Sequence, residues 1–237
     1  AEHPEGKVDE EAKTSGEAKD PNASSDADDK LRYEGYVQSA AVLGIALVTM
    51  GDELAVDMAA RSAEHLLQYG DAAVRRTVPL SLALHHLSHP EYTIVDTLSK
   101  LTHDLDKDVA QNAILALGLI GAGTNNSRIA GLLRQLVVFY KREADHLFCV
   151  RVAQGLLHMG KGLLSINPFH SDRLLMSHTA IAGILPVVFC GLDLGATLHS
   201  KWHFILYTLS VAMKPRMLVT VDEDGKPIHV DVRVGQA

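Results

Sequence analysis

The stretch GLLHMGKG at residues 155 to 162 places Gly155, Gly160 and Lys161 at the G-x-x-x-x-G-K spacing of a loop that wraps nucleotide phosphates. In that chemistry Lys161 would meet the β- and γ-phosphates. Gly162, however, stands where a Ser or Thr hydroxyl must hold magnesium, and the preceding residues have a helical pattern where the motif needs a strand. The stretch reads instead as the end of a helix. A dinucleotide fingerprint fails as well, since Gly121, Gly123 and Asn126 give G-x-G-x-x-N after a helix. Asp104, Asp106 and Asp108 begin like a calcium loop, but Val109 replaces the turn glycine and Leu115 the closing glutamate, which leaves an N-cap cluster for the next helix. His85 and His89 are four apart, as are His199 and His203, a spacing that puts two imidazoles on one helical face for zinc. Neither pair has a glutamate beside its first histidine, and Pro90 signals that the first helix is ending at His89. Cys149 and Cys190 lie in apolar helical patterns that suit small buried residues better than reactive thiols. These readings assign no catalytic, cofactor-binding or metal-ligating residue.

The composition narrows the classes further. The net charge of −7 is concentrated at one end: residues 1 to 30 hold ten acids and four bases, with Val8 as their one large aliphatic residue. Such a segment cannot bury enough apolar surface to fold, so residues 1–34 are expected to form an acidic, disordered linker. The remainder is near neutral, without the basic stripe that nucleic acid requires. Two cysteines make no disulfide framework and favour a reducing compartment. The longest apolar run, 180 to 192, contains Pro186 and stops at Asp193, short of a bilayer span. The chain opens on Ala1 without a methionine, which reads as a fragment or a processed chain.

The elements that position these residues follow from a repeat. ALVTMG at 46 to 51, ALHHLS at 83 to 88, ALGLIG at 116 to 121 and GLLHMG at 155 to 160 align without gaps, their starts 37, 33 and 39 residues apart. The first column is small (Ala46, Ala83, Ala116, Gly155) and the second is leucine. The fifth is large and apolar (Met50, Leu87, Ile120, Met159), and the sixth is small again (Gly51, Ser88, Gly121, Gly160). Leu43, Leu80, Ala113 and Val152, three residues upstream, complete a helical face. This spacing accommodates two short helices and two turns, the unit of an α-solenoid. Between copies, Asp52 and Gly70 bracket one amphipathic helix, and Ile129, Leu132, Leu133, Leu136, Val137 and Tyr140 form one face of another. Each unit thus pairs a small-residue helix with a bulkier one. The glycines of ALGLIGAG, each costing a helix interior about 1 kcal/mol, are then structural: sixth-column residues cap helices at positive φ, and first-column residues let helix backbones approach.

Segments such as ALGLIGAG and VAQGLLHMGKG resemble the proteasome/cyclosome repeat family, found in the two large non-ATPase scaffold subunits of the proteasome regulatory particle. LGIALVTMGDE, YGDAAVRRTVPLSLAL, DTLSKLTHD, GAGTNNSRIAGLLRQL and KPRMLVTVDEDGKPIHVDVRVGQA favour the subunit of the base that docks ubiquitin-handling factors, over roughly residues 36 to 237. The resemblance implies a toroid of paired helices without catalysis, placed beside the ATPase ring in the cytoplasm and nucleus. Its implied partners are the ATPase ring subunits, ubiquitin, the ubiquitin-like domains of shuttle receptors and a deubiquitinase, with no nucleic acid, membrane or cofactor. No ubiquitin-contact residue of the family is carried over to a position in this chain. The resemblance also implies a C-terminal portion that lacks the family's long N-terminal helical region.

The expected architecture is mainly α: the helical repeats over 35–214, with apolar helices at 178–213, and the start of a C-terminal β domain at 215–237. HTAIAGILPVVFCGL and WHFILYTLSVAM are apolar nearly all round and must be surrounded by protein, as candidate axial helices. Residues 228–234 alternate like a half-buried strand, able to pair with 217–221 across Asp224-Gly225. Two other readings stay open, a generic HEAT-like solenoid adaptor outside the proteasome and, more remotely, a P-loop enzyme.

Overall fold

A computed structural model of the chain describes residues 21–170, 175–216 and 220–231, with side chains from Tyr33 onward. The chain divides into two units, Ala1–Glu34 and Gly35–Ala237. Helix α1, Pro21–Thr49, runs through the division. Residues 21–34 are therefore helical rather than part of a disordered linker, and residues 1–20 lie outside the described residues. Extending an existing helix costs far less than nucleating one, and the packed half of α1 supplies the nucleus.

The second unit is a helix-pair solenoid. The end of α1, α3 (Ala72–His85), α5 (Lys107–Ile120) and α7 (Ala144–Leu157) carry the four repeat copies; α2 (Glu53–Tyr69), α4 (Tyr92–Leu101) and α6 (Ser127–Phe139) alternate with them. α5 packs between α3 and α7, while α2, α4 and α6 lie respectively on α3, α5 and α7. Residues 109–120 of α5 are all buried. Asp52 caps α2 by accepting from Leu54 N at 3.1 Å, and the Gly70 N–H closes it on Leu66 O. Asn126 caps α6 through Arg128 N and Ile129 N.

The repeat columns are buried as their periodicity requires, with Leu43, Ala46, Leu80, Ala83, Ala116, Leu117 and Ile120 in one core and Ala113 fully buried. Two expectations need correction. Gly155 is exposed, and a Cβ there would meet nothing within 4 Å, so the fourth copy does not use its small residue for packing. Nor do all sixth-column residues take positive φ. Ser88 (55°) and Gly160 (57°) do, whereas Gly121 is an αR cap at −78° and the left-handed residue is Gly123 at 66°. The close helix approach falls to Gly118, whose Cβ would stand 2.7 Å from Ala153 Cα on α7. Ends of successive inner helices are hydrogen-bonded to one another, Ser88 N to Leu119 O, Gly123 N to Leu156 O and Asn125 N to Leu157 O. These bonds satisfy carbonyls that a helix end leaves open.

Helix α8 (His178–Cys190) joins the same core through Ala180, Ile184, Val187 and Val188. A 3-10 turn at His203–Thr208 and the short α9 (Leu209–Ala212) pack back on α8, with Thr208 Oγ1 donating to Gly183 O at 2.9 Å. The segment 202–213 is not enclosed as its composition suggests. Ile205, Leu206, Leu209 and Ala212 face α8 and the core, while Trp202, Phe204, Tyr207 and Val211 remain exposed among the described residues. A 3-10 turn and a four-residue helix present only one side to their neighbour.

The boundary after Lys214 also shifts. Strand β1 (Leu164–Ser165) pairs antiparallel with β2 (Lys214–Pro215), Arg216 N donates to Leu163 O, and Arg216 Nη2 donates to Ser88 O at 2.9 Å. Pro215 and Arg216 thus belong to the helical body. Beyond them, Val221 bridges Pro227, and Gly225, at φ 76°, closes the turn on Asp222 O. Residues 228–231 are exposed rather than half-buried, and residues 217–219 and 232–237 lie outside the described residues.

Candidate functional site

Each residue with potential chemistry has a position that decides its use. Gly155 lies inside α7, and Gly160, Lys161 and Gly162 follow the C-terminal end of that helix with φ of 57°, 56° and 90°. A phosphate loop precedes a helix and uses its positive N-terminal end. Here the negative end faces the glycines, an arrangement that repels phosphate. Gly162 is required by its backbone, since φ of 90° is a conformation that L side chains rarely adopt.

Asp106 is the N-cap of α5, accepting from Asp108 N at 3.0 Å, and Asp104 accepts from Asp106 N at 2.9 Å. Their remaining oxygens pair with α3: Arg75 with Asp104 at 3.3 Å, and Arg76 with Asp106 and Asp108 at 3.2 Å each. The aspartates tie one inner helix to the next. Neither histidine pair converges. α3 ends at His85, which leaves His89 outside the helix, and His203 turns to Ser200 O while His199 points inward.

His199 does meet a cysteine. Its Nε2 lies 3.0 Å from Gln111 Oε1 and 4.0 Å from Cys149 Sγ, joining the segment after α8 to α5 and α7. Burial pushes the Cys149 thiol up to about 12 and also raises that of Cys190. A buried thiol held protonated is a poor nucleophile. Sequence reasoning missed this contact, and likewise Asn112, fully buried, whose Nδ2 donates to Arg76 O at 2.7 Å and Gly191 O at 2.8 Å. Tyr36 OH similarly donates to Asp193 Oδ2 at 2.9 Å. Partners 79 and 157 residues away leave no local signal.

A cleft of about 240 Å³ lies where α1 and α3 end, α2 begins and residues 167–169 cross. Met50, Leu84, Leu87 and Phe169 give it an apolar lining, and Glu53, Asp57 and Glu91 line it with carboxylates. His85 Nε2 lies 2.9 Å from Thr49 Oγ1, which itself donates to Ile45 O, so the ring nitrogen is the donor. Its Nδ1 is buried without a partner among the described residues. Burial, with His86 adjacent, lowers the His85 pKa to about 4. Glu91 Oε2 lies 3.5 Å from His86 Nδ1. Among the described residues no three His, Cys, Asp or Glu side chains form a metal-ligating group, and no helix is long and apolar enough to cross a membrane.

Comparison with known proteins supplies the context. Residues 112–143, which contain most of α5 and all of α6, match the proteasome/cyclosome repeat. Over 200 residues the chain is 56% identical to 26S proteasome non-ATPase regulatory subunit 2 homolog B of Arabidopsis thaliana, covering 84% of this chain and 22% of that protein. It is 55% identical over 197 residues to 26S proteasome non-ATPase regulatory subunit 2 of Dictyostelium discoideum, covering 83% and 22%. Identity to the 26S proteasome regulatory subunit rpn1 of Schizosaccharomyces pombe is 46% over 211 residues, covering 89% and 24%. The chain belongs to the proteasome non-ATPase regulatory subunit 2 family. It spans about a fifth of the length of these relatives. The matched repeat spans α5 and the helix that follows it, whereas packing joins α2 to α3, α4 to α5 and α6 to α7, each to the helix after it.

Proposed function

We propose that this chain is part of a non-catalytic scaffold in the base of the proteasome regulatory particle. In this reading the scaffold docks ubiquitin, the ubiquitin-like domains of shuttle receptors and a deubiquitinase next to the ATPase ring. It serves ubiquitin-dependent protein degradation in the cytoplasm and nucleus. The observation that carries the reading is 56% identity, over 84% of this chain, to a protein named as a proteasome regulatory subunit. Two features of the structure support it. The conspicuous polar residues are consumed in caps, ion pairs and helix-to-helix hydrogen bonds rather than converging on a reacting centre. The solenoid also presents both helix rows along an extended surface, a form suited to binding proteins.

The test is affinity purification of the tagged parent polypeptide from its own cells, followed by mass spectrometry. Recovery of the ATPase ring subunits with it is the expected result. Recovery of a stable set of partners without proteasome subunits would favour a solenoid adaptor of another complex.

A further inference from the structure

We propose that the C-terminal end of the outer helix α6, with the turn that follows it, docks an acidic and apolar segment of a partner protein. Its cations are uncommitted. Arg75, Arg76, Lys100, Lys107 and Arg128 each meet a carboxylate. Arg134, Lys141 and Arg142 are exposed, and among the described residues none of them has a carboxylate partner. The surrounding acids do not cancel them. Residues 134–143 hold these three cations and one acid, Glu143, whose Oε2 lies 2.7 Å from His146 Nδ1. Asp104 and Asp106 are taken by Arg75 and Arg76, and Asp145 by Lys107. α6 ends at Phe139 where α7 is about to begin at Ala144, so the opposite half-charges of the two helix ends offset each other. The positive sign is therefore that of the side chains.

Two apolar side chains stand among the cations, Val138 at 75% exposure and Phe139 at 65%. Phe139 is already held in place. Its ring lies edge-on to His103 and to Tyr140, with centroids 4.8 Å from each, and the buried Tyr140 donates its OH to Thr102 O at 2.6 Å. A ring fixed in this way loses little conformational freedom when a partner covers it. Spacing then sets the partner's pattern. Arg134 and Val138 are one turn apart on α6, and Lys141 lies in the turn just past its end, so the two cations stand roughly 10 Å apart with apolar atoms between them. An extended segment matches this with carboxylates at positions i and i+3, about 10 Å apart, on either side of leucine or a similar residue. A polyanion without apolar side chains would leave Val138 and Phe139 uncovered.

The experiment uses the 237-residue chain with methyl-labelled valine, following the Val138 methyl resonances by nuclear magnetic resonance. The probes are acetyl-Glu-Leu-Leu-Glu-amide, its neutral counterpart acetyl-Gln-Leu-Leu-Gln-amide, and acetyl-Glu-Ser-Ser-Glu-amide, which keeps the charge without the apolar side chains. The first is expected to shift the resonances saturably. The glutamine peptide should bind about 5-fold weaker, as loss of two exposed ion pairs dictates, and the serine peptide weaker by at least about the same factor. The double variant K141Q/R142Q should weaken the first peptide by about 5-fold and leave the glutamine peptide unchanged. Arg61→Gln, an exposed cation on α2, should alter neither. The substituted residues are surface groups, and circular dichroism verifies that the helices remain. Unshifted Val138 methyls, equal binding of the glutamine or the serine peptide, or no effect of K141Q/R142Q would overturn the proposal. None of these outcomes bears on proteasome membership, which the co-purification tests separately.

Discussion

Gly118→Ala isolates the contact on which the inner helix row depends. Within an isolated helix the substitution stabilises by about 1 kcal/mol. In this fold the new Cβ would stand 2.7 Å from Ala153 Cα and 2.9 Å from Ala153 Cβ. Non-bonded carbons settle at roughly 3.5–4.0 Å, so α5 and α7 must separate by about 1 Å. The obstructing atoms belong to a helix backbone and cannot rotate away. Overpacking costs about 1–3 kcal/mol, and the upper part of that range applies where backbone must move. A net loss of about 1–2 kcal/mol follows once the propensity gain is subtracted. Gly155→Ala is the matched control, on α7 with no atom within 4 Å of the added Cβ, and it should stabilise by about 0.5–1 kcal/mol. Urea unfolding followed by far-ultraviolet circular dichroism measures both. Thermal midpoints should move in opposite directions, by about 2–4 °C per kcal/mol for a chain of this size. If Gly118→Ala stabilises as much as Gly155→Ala, the helices do not meet at Gly118 and the packing account of the repeat fails.

Replacing Asn112 with Leu leaves Arg76 O and Gly191 O without their donor and should cost about 2–4 kcal/mol, with faster amide exchange at the end of α8 read by mass spectrometry. A chain ending at Lys214 loses Pro215 from the β1–β2 pair and both Arg216 bonds, so it should be less stable than one ending at Arg216 by about 1–3 kcal/mol; equal melting would return the boundary to Lys214. His85, with a pKa lowered to about 4 in the fold against 6.5 when free, makes the unfolded chain bind more protons between those values. Its stabilising effect is complete above about pH 6.5 and is lost as the pH falls toward 4, so His85→Gln should flatten that part of the stability curve. Burial lowers His146 and His199 in the same direction, so the slope should shrink rather than vanish.

Local patterns made the helix pairs legible. Asp52 and Gly70 bracket α2 because capping chemistry is decided within a few residues, and the repeat columns predict burial because one helical face is enough to define it. Positive φ was less legible. Aligning Gly51, Ser88, Gly121 and Gly160 assumes that each inner helix stops at the same column, yet α5 runs through Ile120 and places its left-handed residue at Gly123. The composition of 202–213 indicated burial on all sides, but which sides have a neighbour is a tertiary fact. The cleft was illegible for the same reason, since its walls come from residues 50–57, 84–91 and 167–169.

A row of Ala- and Gly-faced helices raises a specificity problem, because small side chains offer few knobs to hold one helix in register against the next. Polar groups, among them Asp106 and Asp108 of the calcium-like stretch, supply that register. Arg76 reaches the Asp106 and Asp108 carboxylates at the start of α5, and Ser88 N reaches Leu119 O near its end, so a slide of one helical turn would break bonds at both ends together. Asn112, between them, fixes α8 on the same two helices through Arg76 O and Gly191 O. A buried donor left unpaired costs about 1–3 kcal/mol, more than a small-residue contact returns on slipping. Such pinning holds α3, α5 and α8 at fixed spacing, and α3 carries Leu84 and His85 into the cleft wall.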